Sequence, residues 1–232
     1  MFKIALNAGH YLANPKGIPS YLGLGNIREW TLNARIAEKV TALLKEYTGY
    51  ELLRIDDPTG KTDVSLEART DAANAFAADL YLSIHHNAGI NGADGGGIVA
   101  IVHPAAGEAA RRWQGALYDA LVEATGLKGN RSQPLTQMDL HEVRETAMAA
   151  VLLELGFMDS RVDAPIIVTE EFADQCAGAI VKVLAQLGEL EKRPVQDRIY
   201  RVQVGAFRDK GNAEAYLARV RAAGFPEAFL TE

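Results

Sequence analysis

Apolar and polar residues alternate along this chain in two periods, one of two residues and one of three to four. Phe2–Ala8 is a short apolar run and predicts a buried strand that stops at Gly9-His10. Residues 28–47 space Ile36, Val40, Leu43, Leu44 and Tyr47 three and four apart, the stripe of a helix. Residues 50–55 read as a second strand and 64–78 as a second helix, with Leu66, Ala73, Phe76 and Ala77 on one side. In 81–88 the apolar Leu80, Leu82 and Ile84 alternate with polar neighbours as far as His85 and His86, and Gly89 closes the strand. Residues 91–97, with four glycines, predict a flexible turn into a strand at Ile98–Val102. Residues 105–125 predict a long helix carrying Trp113, Leu117 and Leu121, and 128–143 read as polar and irregular.

The run 149–154 is almost continuously apolar, as a central strand covered on both faces should be, and it breaks at Gly156. Thr169 predicts a helix cap, with Glu170 and Glu171 in the first turn and Phe172, Cys176, Ile180, Leu184 and Leu187 as the buried stripe. Strands alternating with helices of this length predict a three-layer α/β domain over residues 1–188. A charged linker, 189–197, follows. In 199–207, Tyr200, Val202 and Val204 alternate against Arg201 and Gln203, predicting a strand with one exposed face. Residues 211–223 predict an amphipathic helix and 226–230 a further strand, so 198–232 form a small α+β tail.

At 232 residues, 48% of them hydrophobic and 23% charged, the chain can bury a sizeable core. Its net charge of −6 is uneven: six basic and four acidic residues from Arg198 onward leave the tail at +2 and the remainder at −8. An acidic main body argues against nucleic acid as a partner. A single cysteine, Cys176, excludes an intrachain disulfide and a cysteine-rich zinc site, so a metal here must be held by His and carboxylate. No window approaches the roughly 18 apolar residues of a membrane span. The sequence enters its first strand without a charged leader, apolar core and cleavage site, so no export signal is expected in it.

Four residues carry candidate chemistry. His10 follows the first strand, and Glu29 opens the first helix on the inward face, in line with Asn33 and Ile36. His85 ends a middle strand, and Glu154 ends the last strong one, inside a run where an unpaired carboxylate is costly. Each also has an ordinary reading: a core histidine, or a first-turn acid that complements the helix dipole. Glu154 is the hardest to read that way, because buried glutamate is rare unless paired or near a metal. Two imidazoles and a carboxylate with an open fourth position suit a catalytic zinc, and a fourth group that takes a proton completes a hydrolase. The segment His141-Glu142-Val143-Arg144-Glu145 begins like the H-E-x-x-H zinc helix but lacks its second histidine, and reads as solvated surface.

Together these segments resemble the zinc-dependent N-acetylmuramoyl-L-alanine amidases of bacterial cell-wall lysis. The matching pieces are A-G-H (8–10), E-W-T-L-N-A-R-I-A (29–37), L-E-A-R-T-D-A-A-N (66–74), D-L-Y-L-S-I-H-H-N-A (79–88) and V-L-L-E-L-G-F-M-D-S (151–160). The resemblance implies an α/β/α fold with a twisted, mostly parallel sheet, and one zinc per chain held by His10, Glu29 and His85. It makes Glu154 the catalytic carboxylate and His86 a neighbour lining the cleft. Asn7 stands where an Asp is usual in this family, and the loop 11–26 lacks the usual glycine-rich run. The tail resembles the start of a sporulation-related repeat, a module that binds glycan stripped of its peptides, through Y-R-V-Q-V-G-A-F and N-A-E-A-Y-L-A-R-V-R-A-A-G-F. It holds about half of such a module, and its open strand edges raise the expectation of a homodimer. The implied activity is hydrolysis of the bond between N-acetylmuramic acid and L-alanine in peptidoglycan. A silent wall-binding module and a zinc peptidase acting on the stem peptide are the alternatives.

Overall fold

The computed structural model describes residues 1–194 and 202–231. These fall into two units, Met1–Arg193 and Pro194–Glu232. In chain order the first unit runs β1 (Phe2–Ala8), α1 (Glu29–Leu44), β2 (Tyr47–Thr48), β3 (Tyr50–Arg54), α2 (Leu66–Phe76), β4 (Leu80–Asn87) and β5 (Ile98–Val102). It continues through α3 (Glu108–Thr125), β6 (Leu135–Gln137), α4 (His141–Arg144), β7 (Ala149–Phe157), α5 (Ala164–Ile167), α6 (Glu170–Leu187) and β8 (Glu191–Lys192). The second unit carries α7 (Lys210–Ala222).

Six strands form one sheet in the order β3-β1-β4-β7-β5-β6. β3, β1, β4 and β7 run parallel to one another, while β5 lies antiparallel to β7 and parallel to β6. The nearly continuous apolar run of β7 is accounted for by its place between β4 and β5, where both faces are covered except near Glu154. Val151, Leu153 and Leu155 join Ile4, Leu82 and Ile84 in the core shared with α1, α3 and α6. Ala150, Leu152 and Phe157 join Ala5 and Tyr81 on the opposite face, with Ala73 of α2 and Val143 of α4. The sheet is thus the middle of three layers, with the thinner outer layer on the α2 and α4 side. Thr169 accepts the Phe172 N–H and caps α6, as its position before two acids predicts.

Three segments depart from the sequence reading. Residues 128–143 are not irregular throughout, since they contain β6 and α4. Both elements are too short to show a period, and β6 is largely exposed. The linker begins as an edge pairing: β8 runs antiparallel to β2, and Arg193 N–H donates to Glu46 O at 2.7 Å. In the tail, residues 202–207 and 226–230 form no strand, and residues 199–201 of the first expected strand lie outside the described residues. A strand needs a ladder partner, and Val202, 84% exposed, has none among the described residues. The homodimer argued from open strand edges therefore has no support in the described tail. The helix expected there is present as α7.

The glycine-rich segment 91–97 is held at both ends. Gly89 N–H and Asn91 N–H donate to Asp159 Oδ2 at 2.9 and 2.7 Å, and Gly97 N–H donates to Asp163 Oδ2 at 2.7 Å. Ser160 Oγ donates to Gly95 O at 2.6 Å, and Gly96 N–H reaches Asn130 Oδ1 at 3.1 Å. At Gly96, φ is +114° and an added Cβ would lie 2.5 Å from the Phe157 ring. Glycine is required there by backbone shape and close approach rather than by looseness.

Candidate active site

The parallel strands β1, β4 and β7 carry their carboxyl ends to one edge of the sheet, the place where open α/β sheets collect ligands. His10 stands just past β1, and His85 and Glu154 face each other in register on β4 and β7. His10 takes a left-handed backbone, with φ of +66°, a conformation that a non-glycine residue adopts at a cost. Arg69 Nη2 donates to the His10 carbonyl at 3.1 Å and holds that turn. Glu29 is the first residue of α1, and its N–H donates to Lys16 O at 3.0 Å, so the 11–26 loop folds back over the helix start. Its side chain is 3% exposed, pointing inward instead of toward solvent.

Glu29 joins the two histidines. Its Oε2 lies 3.0 Å from His10 Nε2, and its Oε1 lies 3.1 Å from His85 Nδ1 and 3.3 Å from the His86 backbone N–H. The His10 and His85 rings are perpendicular with centroids 5.0 Å apart. One donor atom from each of His10, Glu29 and His85 falls within 4.8 Å of the other two, so these three residues could hold a metal ion. Glu154 lines the same cleft with Lys16, Leu66 and Met158, and its Oε2 is buried without a hydrogen-bond partner among the described residues. His86 also borders the cleft, as the resemblance implies, while its Nδ1 lies 2.7 Å from Asn33 Oδ1 and Asn33 Nδ2 donates to Gly9 O at 3.1 Å.

Electrostatics separates the acids. Burial pushes Glu154 up to about 7, only partly offset by the charge of His85. Burial also pushes Glu29 up, but His10 and His85 outweigh it and hold this carboxylate well below its usual range. The His85 imidazole is pushed down by burial and lifted more strongly by Glu142 and Glu29, to about 10. Glu29 and Glu142 thus favour the charged form of His85 from both sides of its ring. His86, facing burial with little compensation, is pushed down to about 3 and stays neutral.

Gly9 makes this crowding possible. A Cβ there would lie 2.0–2.4 Å from three atoms of the His85 ring. Gly9→Ala is expected to force the ring aside and to cost about 1–3 kcal/mol, as overpacking does, read from a urea unfolding midpoint.

The sequence reading missed Glu142 and the residues that hold it. Glu142 was expected on solvated surface, yet it is 5% exposed and faces β4. Its Oε1 accepts from Asn7 Nδ2 at 2.6 Å, Tyr81 OH at 2.8 Å and Ser83 Oγ at 3.2 Å. Its Oε2 lies 3.5 Å from His85 Nε2. The available signal was on the strand rather than on α4. Tyr81, Ser83 and His85 occupy every second position of a buried strand, and a buried polar face requires a polar partner. His141, the other half of the H-E pair, lies outside the cluster, with its Nε2 3.2 Å from Thr70 Oγ1.

A mixed α/β sheet that brings two imidazoles and a buried acid into one cleft is an arrangement that hydrolysis can use. Residues 4–186 match the family model for N-acetylmuramoyl-L-alanine amidase, and the chain belongs to that family. Residues 196–231 match the SPOR domain. The sporulation-specific N-acetylmuramoyl-L-alanine amidase of Bacillus subtilis (strain 168) is 33% identical over 97% of this chain and 83% of its own length. Among solved structures, the N-acetylmuramoyl-L-alanine amidase of Clostridium difficile 630 superposes with a TM-score of 0.72 at 24% identity, over 81% of this chain and 97% of that one. The catalytic domain of CwlV from Bacillus (Paenibacillus) polymyxa var. colistinus gives 0.70 at 24% identity, over 82% and 99%. These two share the fold.

Proposed function

We propose that this chain hydrolyses the amide between the lactyl group of N-acetylmuramic acid and L-alanine in peptidoglycan. One zinc ion would be held by His10, Glu29 and His85, with Glu154 as general base. The observation that carries this reading is the convergence of those three donors in one cleft with Glu154, whose buried Oε2 has no partner among the described residues, in a chain of the amidase family. The donor set suits zinc: two imidazoles and one carboxylate leave a fourth position open. When bound, the ion supplies Lewis acidity toward the amide carbonyl and the attacking water.

The remaining work falls to side chains. With a proton affinity close to neutrality, Glu154 takes a proton from the attacking water and passes it to the departing amine of L-alanine. His86 donates through Nδ1 to Asn33, which fixes the Gly9 carbonyl next to His10. In this reading residues 1–188 are the catalytic domain, 189–197 the connection and 198–232 a wall-binding appendage that favours stripped glycan, the product of the reaction. The site of action is the bacterial cell wall, and among the described residues no helix is long and apolar enough to cross a membrane.

Digestion of purified peptidoglycan with mass analysis tests the reading. Intact stem peptides beginning at L-alanine, with glycan carrying free lactyl carboxylates, are expected. Cuts within the stem peptide would make the chain a peptidase, and unchanged wall would make it a binding module. A version ending at Leu187 is expected to cleave soluble fragments at an unchanged rate and to co-sediment more weakly with stripped wall. Equal sedimentation of both versions removes the wall-binding role of the tail.

A further inference from the structure

We propose that Glu142 is a positioning residue that fixes the tautomer and the ring orientation of His85. The inference rests on the ligand reading given above. His85 lies between two carboxylates, with Nδ1 3.1 Å from Glu29 Oε1 and Nε2 3.5 Å from Glu142 Oε2. The Glu29 side is the ligand side, because the other oxygen of the same carboxylate lies 3.0 Å from His10 Nε2. For the ring to offer a lone pair there, its proton must sit on Nε2, which has no hydrogen-bond partner among the described residues and faces Glu142 Oε2 at 3.5 Å. At 3.5 Å the contact is an ion pair rather than a short hydrogen bond. A carboxylate behind a ligating imidazole fixes its tautomer and raises its basicity.

The local hydrogen bonds assign Glu142 to this task. Arg69 can only donate, and its Nη1 lies 3.1 Å from Asn7, so the Asn7 atom facing it is Oδ1. Asn7 Nδ2 must then point at Glu142 and Ser83, at 2.6 and 2.8 Å. With Tyr81 and Ser83 also donating to Oε1, that oxygen is saturated and Oε2 is left for His85. Asn7 is thus matched to Glu142. An Asp at position 7, usual in the family this chain resembles, would set two carboxylates 2.6 Å apart and force one to hold a proton.

The test uses the full chain loaded with zinc. Long-range ¹H–¹⁵N spectra are expected to place the proton of His85 on Nε2 and the metal-induced shift on Nδ1, and a proton on Nδ1 overturns the inference. Glu142→Gln is expected to retain its fold by circular dichroism, to bind zinc about 10–100-fold more weakly against a chromophoric chelator, and to lose kcat more than KM. A purely structural role would lower the melting temperature and leave the zinc affinity unchanged, which overturns it as well. If His85→Ala binds zinc as the wild type does, the ligand reading itself fails. If His85→Ala loses zinc and Glu142→Gln does not, only the role of Glu142 fails.

Discussion

Glu154→Gln is expected to bind one zinc per chain and to digest peptidoglycan roughly 10²–10⁴-fold more slowly than the wild type, the span usual for a positioned acid–base group. The substitution preserves shape and removes only the ability to take a proton. Because the carboxylate sits opposite His85 on the neighbouring strand and outside the three-donor cluster, metal content should not follow rate. The pH profile provides a second measure. A base works only when ionised, so the wild-type rate falls as pH drops through the pKa of Glu154. Burial puts that value near 7 in the metal-free protein, and a nearby cation lowers it, so the acid limb lies below 7. The Gln variant should lack that limb. A wild-type rate in Glu154→Gln would remove the residue from the mechanism.

Removing the ion should abolish activity, and restoring zinc should recover it. Replacing a ligand should make the loss permanent. His10→Ala is the cleaner variant, because His10 lies at the mouth of the cluster while His85 separates two buried acids. Loss of His85 leaves Glu29 and Glu142 without their common cation, and an uncompensated buried charge costs about 3–5 kcal/mol. His85→Ala is therefore expected to lose both zinc and stability, and His10→Ala mainly zinc. Zinc should raise the melting temperature of the wild type, since a ligand that binds only the folded state stabilises it, and should leave His10→Ala unmoved. Elemental analysis of the purified variants decides the matter, and full zinc occupancy in His10→Ala would overturn its assignment as a ligand.

The architecture was legible wherever an element was long enough to show its period. β1 and β5 fall on the residues their apolar runs predict, and α6 starts at the cap that Thr169 announces. His10 and Glu29 could be picked out at element ends, and His85 and Glu154 because each interrupts an apolar strand pattern with a residue type unsuited to plain burial, although β4 and β7 both run on beyond them. Glu142 could not. It lies in a four-residue helix after a polar stretch, where no period separates an inward from an outward side chain. Its burial is decided by β4, some sixty residues earlier, and a pairing at that range leaves no local trace. The tail's helix and its match to the SPOR domain agree with the sequence reading, but the strands expected there do not appear in the described residues 202–207 and 226–230. Alternation at 199–207 reports an amphipathic strip, but a strip becomes a strand only beside another strand.

The anchoring of segment 91–97 bears on how a polymeric substrate meets this enzyme. The segment follows directly on β4, whose end at Asn87 lines the cleft, and its backbone amides are already committed to Asp159, Asp163 and Asn130. Its left-handed glycines are fixed before any sugar arrives, so docking a glycan strand there orders little additional chain. Capture on the wall then resembles a key meeting a rigid ward.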